Sequence, residues 1–143
     1  MTPFVLTRAN QFRTAPPPPL DNPEYTAAFD EVKSLGGDGD TTPTARTDAG
    51  TEIGIYWAYD GVPQLCAPPR LYNQIAQVIA DQEGNTEYEN ARLFAMINVA
   101  MADAGIVGWG SKYEYDFWRP VIGIREGDHD GNQDTTGVPG WRP

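Results

Sequence analysis

The sequence predicts an all-α fold: a helical bundle portion with four main helices and a short fifth, joined by long Pro/Gly-rich loops. Apolar residues recur at three- and four-residue spacing in several segments, capping residues mark where those segments start and stop, and no segment alternates apolar and polar residues as a half-buried strand would. The same pattern divides the chain into an extended Pro-rich arm over residues 1–21, a bundle portion over 22–125 and a polar, Gly-rich loop over 126–143.

The proline run Pro16–Pro19 reads as polyproline II within an arm lying on the domain. Asn22 can cap a first helix, Pro23 suits its first turn, and Gly36-Gly37 stops it, with Tyr25, Phe29 and Val32 as the buried stripe. The Gly36–Asp40 run is a solvated turn, because two carboxylates without a defined loop length do not specify calcium. A second helix is expected over residues 43–59, with its apolar end (Ile53, Ile55, Tyr56, Trp57, Tyr59) buried. Asp60-Gly61 and the prolines at 63, 68 and 69 break the chain. A third helix follows over 70–82, facing inward with Leu71, Ile75, Val78 and Ile79, and stopping at Gly84.

The fourth helix starts at Thr86-Glu87-Tyr88-Glu89, a capping box. Ala91, Ala95, Asn98, Ala102 and Gly105 form a small-residue line that would let another helix approach closely, which makes this the central helix. Gly105 and Gly108 are expected to bend the chain before a short helix carrying Lys112.

The 143 residues suffice for one core and not for two. With 20 acidic against 10 basic residues and a net charge of -10, the chain is a poor partner for nucleic acid or an anionic membrane surface. The single cysteine, Cys66, excludes an internal disulfide and leaves the redox compartment open. No stretch approaches the roughly 20 apolar residues of a membrane helix, and no signal peptide opens the chain. A soluble protein is expected, in a compartment the sequence does not specify.

The run from Trp109 to Pro120 carries the chemistry. Lys112 and Arg119, seven residues apart, would leave one helical face about 10 Å from each other along the axis and could close on one anion. Pro120 disfavours helical geometry at Arg119, which should therefore sit at the mouth of the helix's last turn. Tyr113, Tyr115, Phe117 and Trp118 would wall the site and strengthen cation–anion pairing. The plainer alternative is that Glu114 and Asp116 neutralise both cations as surface pairs. Asp103 reads as a paired structural carboxylate, with a supporting contact to Lys112 or Arg119 as the sharper alternative; Asn98 and Arg92 read as interhelical hydrogen bonders. Asp128 to Asp134 places acids at alternate positions but has Gln133 and Pro139 where a calcium loop needs glycine and glutamate, so it reads as a solvated loop.

Lys112, six residues, then Arg119-Pro120, with Trp109 three residues before the lysine and the alanine-rich Asn90–Ile106 segment upstream, resembles the vanadium-dependent haloperoxidase branch of the PAP2 acid phosphatase superfamily. The resemblance implies that Lys112 and Arg119 are catalytic and hold the equatorial oxygens of vanadate, with phosphate as the competing oxyanion. It places Trp109 on the halide or peroxide side of the pocket, and it makes hydrogen peroxide and halide the substrates. Fixed cations suit a pentavalent oxyanion because they stabilise its charge without reorganising, arginine as a bidentate fork and lysine as a point charge.

The superfamily's Pro-Ser-Gly-His segment and its later Ser-Arg and histidine segment are missing, and His129 matches neither position. The chain is therefore expected to be a fragment, inactive alone, whose missing C-terminal part or a second chain completes the site. Two rivals stand beside this reading: an acid phosphatase using the same cradle, and a non-catalytic helical domain that binds an anion or a partner. A partial bundle should also expose apolar surface and associate.

Overall fold

The structure, a computed structural model, describes residues 1–58 and 68–143, so the expectations for Tyr59, Asp60-Gly61, Pro63 and Cys66 fall outside the described residues. Those residues form five α-helices and a 3-10 turn, with no strand among them: α1 (Pro23–Leu35), α2 (Asp48–Trp57), α3 (Pro68–Glu83), α4 (Glu87–Tyr115), α5 (Pro120–Arg125) and the turn Gly127–His129. The all-α expectation holds. The chain divides into two compact units, one of residues 1–14 and 55–114, the other of residues 15–54 and 115–143.

In the second unit, α1 begins as the sequence predicts, with the Asn22 side chain accepting from the Glu24 amide at 2.8 Å and Pro23 in the first turn. Tyr25 and Phe29 are buried with Ile124 of α5 and Trp141, forming the core against which Leu20, Trp118, Val121 and Val138 pack. Val32, the third member of the expected stripe, lies at the edge and is 37% exposed.

The polar tail after Arg125 is tied back onto α1 and α5. Asn132 donates to the Leu20 carbonyl at 2.7 Å and to the Thr26 hydroxyl at 2.8 Å, and Val138 donates its amide to the Ile124 carbonyl at 2.8 Å. The Trp141 indole donates to the Lys33 carbonyl at 3.2 Å. The Gly36–Asp40 loop is ordered by Asp38, whose carboxylate accepts from the Thr41 hydroxyl and from the amides of Thr42 (2.7 Å) and Asp40 (3.1 Å). Those bonds, the Thr41 hydroxyl first, hold the Asp38 carboxyl down at about 2. Thr42 in turn accepts from the Arg142 amide at 2.9 Å, so the loop fastens the end of the tail.

Helix α2 starts later than the expected residue 43. Arg46 is committed to the end of α1, donating to the carbonyls of Leu35 at 2.7 Å and Gly37 at 3.3 Å, and Thr47 caps the new helix through the Gly50 amide at 3.1 Å. Its apolar end is not buried: Ile53, Ile55, Tyr56 and Trp57 are each at least half exposed.

In the first unit, α3 turns a smaller face inward than expected. Ala76 and Ala80 are buried, whereas Val78 and Ile79 are about half exposed. Asn73 of α3 and Asn98 of α4 exchange amide hydrogen bonds at 3.0 and 2.9 Å, but Ala91 and Ala95 are exposed and a side chain at Gly105 would meet open space, so among the described residues no helix packs closely along the small-residue line. Arg92 makes no such bond among the described residues. Glu89 accepts from the amide and hydroxyl of Thr86 at 2.8 and 2.7 Å, completing the capping box. Gly105 and Gly108 do not bend the chain, and α4 runs unbroken for 29 residues. By length and composition alone it is also apolar enough to cross a membrane, a test that core helices of water-soluble proteins pass too.

Candidate functional site

Lys112 lies in the last turn of α4, not on a separate short helix, and this end of a helix favours a cation. Its ammonium stands 5.3 Å from the centre of the Trp109 ring, one helical turn back, a contact worth about 0.5–1 kcal/mol at an exposed site. Trp109 and Lys112 are thus brought together, as the spacing suggests.

Glu114 does not neutralise Lys112. Its carboxylate pairs with Arg13 of the N-terminal arm at 3.0 Å, and the Arg13 guanidinium lies over Gly110. The arm is pinned a second time at Asp103, which is 4% exposed and accepts three consecutive backbone amides: Phe4 at 2.7 Å, Val5 at 2.8 Å and Leu6 at 3.1 Å. The Phe4 amide foremost, with those of Val5 and Leu6, pulls the Asp103 carboxyl below its ordinary value, against the opposing effect of burial. Asp103 is therefore a structural carboxylate, and no contact to Lys112 or Arg119 is present among the described residues.

Arg119 belongs to the second unit. α4 ends at Tyr115, and Asp116 enters the left-handed region at φ 44°, so Lys112 and Arg119 do not share a helical face as the spacing predicts. The backbone of Arg119 is extended (φ -74°, ψ 149°), as a residue before proline should be, and it is the cap residue of α5 rather than part of a last turn of α4. Its carbonyl accepts the amides of Ile122 at 2.9 Å and Gly123 at 3.0 Å.

The expected aromatic walls form in part. Phe117 and Trp118 line an apolar cavity of about 240 Å³ with Pro17, Pro18, Tyr25 and Phe29, whereas Tyr113 is 82% exposed. Burial foremost, then the charge of Asp130, raises the Tyr25 hydroxyl above its ordinary value. Phe117 meets Tyr25 edge-on at 6.3 Å between ring centres.

Both cations are exposed, and among the described residues neither has a carboxylate within ion-pair distance. The residues supply donors and positive charge and no metal-binding group, a set that suits an oxyanion. His129 sits on the 3-10 turn beside Glu126 at 3.3 Å, with its side chain 79% exposed. Asp128 and Asp130 are occupied as acceptors for the Gly137 amide at 2.9 Å and the Thr135 hydroxyl at 2.7 Å. That loop is a hydrogen-bonded one and not only a solvated one. Sequence reasoning missed the N-terminal pins; the sole signal was the carboxylate of Asp103 among alanines.

Residues 92–143 match the family described as the VCPO second helical-bundle domain. The chain is also 39% identical over 148 aligned residues to the vanadium chloroperoxidase of Curvularia inaequalis, an alignment covering 94% of this chain and 24% of that protein. The chain thus spans about a quarter of the length of the relative it matches. Over nearly its whole length, then, the chain is similar to part of a vanadium chloroperoxidase, and from residue 92 onward it matches a helical-bundle domain of that description.

Proposed function

We propose that this chain supplies the lysine and arginine of an oxyanion pocket in a vanadium haloperoxidase, which uses hydrogen peroxide to oxidise halide. The observation that carries the reading is the 39% identity to a vanadium chloroperoxidase over 94% of this chain, with Lys112 and Arg119 both exposed and Glu114, close to Lys112 in sequence, taken by Arg13. Lack of an acid does not by itself single them out, because among the described residues Arg13 alone of the lysines and arginines has a carboxylate within ion-pair distance; their type and spacing do.

Lys112 would bring a mobile point charge steadied by the Trp109 ring, and Arg119 a planar fork leaving a fixed backbone. Vanadate, once bound, supplies the centre at which peroxide is activated; the two side chains bind it, orient it and offset its negative charge. The histidine segments that the resemblance implies are not in this sequence, so on this reading an acid–base step would fall to residues outside it.

Calorimetric titration of the chain with orthovanadate tests the reading. One-to-one binding, weakened by added phosphate, is expected, with no halide oxidation and no phosphate ester hydrolysis by the chain alone. Absence of binding, or halide turnover by the unaided chain, would overturn it.

A further inference from the structure

Arg119 is flanked by residues whose packing leaves it little backbone freedom. Trp118, immediately before it, rests on α5: a Cβ added at Gly123 would lie 3.1 Å from the Trp118 indole nitrogen, 3.4 Å from its ring and 3.5 Å from the Tyr25 hydroxyl. Gly123 is buried, and its missing side chain is the space that the indole occupies. Phe117 holds the other side, edge-on to both Tyr25 and Trp118 at 6.3 Å. Beyond Arg119, Pro120 fixes the chain, and the Arg119 carbonyl is held by the Ile122 and Gly123 amides. Only the guanidinium remains exposed and without an ion-pair partner among the described residues.

We propose that Trp118, seated on Gly123 and against Tyr25, is a positioning residue for Arg119: it fixes the direction in which the guanidinium leaves the chain, and through that the oxyanion affinity. The proposal rests on the reading of Arg119 as an anion-binding group. A long flexible side chain binds more tightly when its root is rigid, because less freedom is lost when the anion arrives. Trp118 touches no anion itself. It acts through the residue that follows it.

A double-mutant cycle on orthovanadate affinity, with Trp118→Ala, Arg119→Ala and the double variant, decides the matter. Trp118→Ala should weaken binding about tenfold in the wild-type background and change it less than about twofold where Arg119 is already alanine. Trp118→Phe, which keeps a ring on Gly123, should restore most of the affinity. Amide exchange at Ile122 and Gly123 should quicken in Trp118→Ala and not in Trp118→Phe. Equal losses from Trp118→Ala in both backgrounds would show a general structural role and overturn the proposal, as would unchanged affinity and unchanged exchange. An Arg119→Ala variant that binds as wild type does would instead overturn the oxyanion reading. In that case the exchange data alone would decide whether Trp118 anchors the backbone at Arg119.

Discussion

Asp103 shows how one carboxylate in a helix of small and apolar residues can tie distant parts of the chain together. Three amides converge on it from Phe4, Val5 and Leu6, and those bonds lower its pKa from the ordinary 3.8. A depressed folded value means that the carboxylate contributes stability above the unfolded value, and that the contribution is lost as pH falls from that value through the lower folded one. The amide resonances of Phe4, Val5 and Leu6 should therefore shift together at a pH below 3.8. A midpoint at or above 3.8 would contradict the pinning. Asp103→Ala should speed amide exchange at those three residues about tenfold, because the arm loses its acceptor. The same logic at Asp38, whose carboxyl is held at about 2, predicts that the loop beneath the chain's end keeps its bonds in mild acid.

At the scale of elements, Trp141 carries more of the second unit's core than a tail residue would suggest. It is 2% exposed, and its indole N–H is satisfied by the Lys33 carbonyl. Trp141→Ala should cost about 3–5 kcal/mol, read from denaturant unfolding, whereas a change under about 1 kcal/mol would mean that the tail is not part of the core. In α4, Gly105 and Gly108 sit in an unbroken helix with open space where a side chain would be. Gly108→Ala should thus stabilise the chain by about 0.5–1 kcal/mol, and a loss of stability would point to a bend that the structure does not contain.

These glycines also show where the sequence was legible. The caps at Asn22 and Thr86 were readable because a side chain bonding its neighbours within a few residues is a local matter. The stop of α4 was not, since it is an aspartate, Asp116, that takes the left-handed conformation and no glycine marks it. The buried face of α3 was misread because the bulky Val78 and Ile79 suggest burial, whereas Ala76 and Ala80 are the residues covered. The tail's place in the core depended on partners about a hundred residues away, beyond the reach of any periodicity. Of the candidate site, the resemblance singled out Trp109 and Lys112, and their contact one helical turn apart is a finding of the structure. The capture of Glu114 by Arg13 was not foreseen, because it joins residues far apart in the sequence.

On the scale of the whole molecule, a short core coexists with many large apolar side chains open to solvent, including Ile53, Ile55, Tyr56, Trp57, Val78, Ile79 and Met96, each at least half exposed. Large apolar side chains open to water favour burial against another surface. The chain should therefore self-associate at micromolar concentration, seen as a weight-average mass above 15.7 kDa in light scattering, and a monodisperse monomer would contradict that. The match to about a quarter of a vanadium chloroperoxidase fits a surface made to be covered.

The central claim is that the charges at positions 112 and 119 serve one anion. Vanadium NMR of orthovanadate mixed with the wild-type chain, with Lys112→Ala and with Arg119→Ala tests it most directly. The account predicts a broadened bound signal for the wild-type chain and an affinity about tenfold lower in each variant, a loss of roughly 1.4 kcal/mol apiece. If either variant binds orthovanadate as tightly as the wild-type chain does, the two residues do not share an anion.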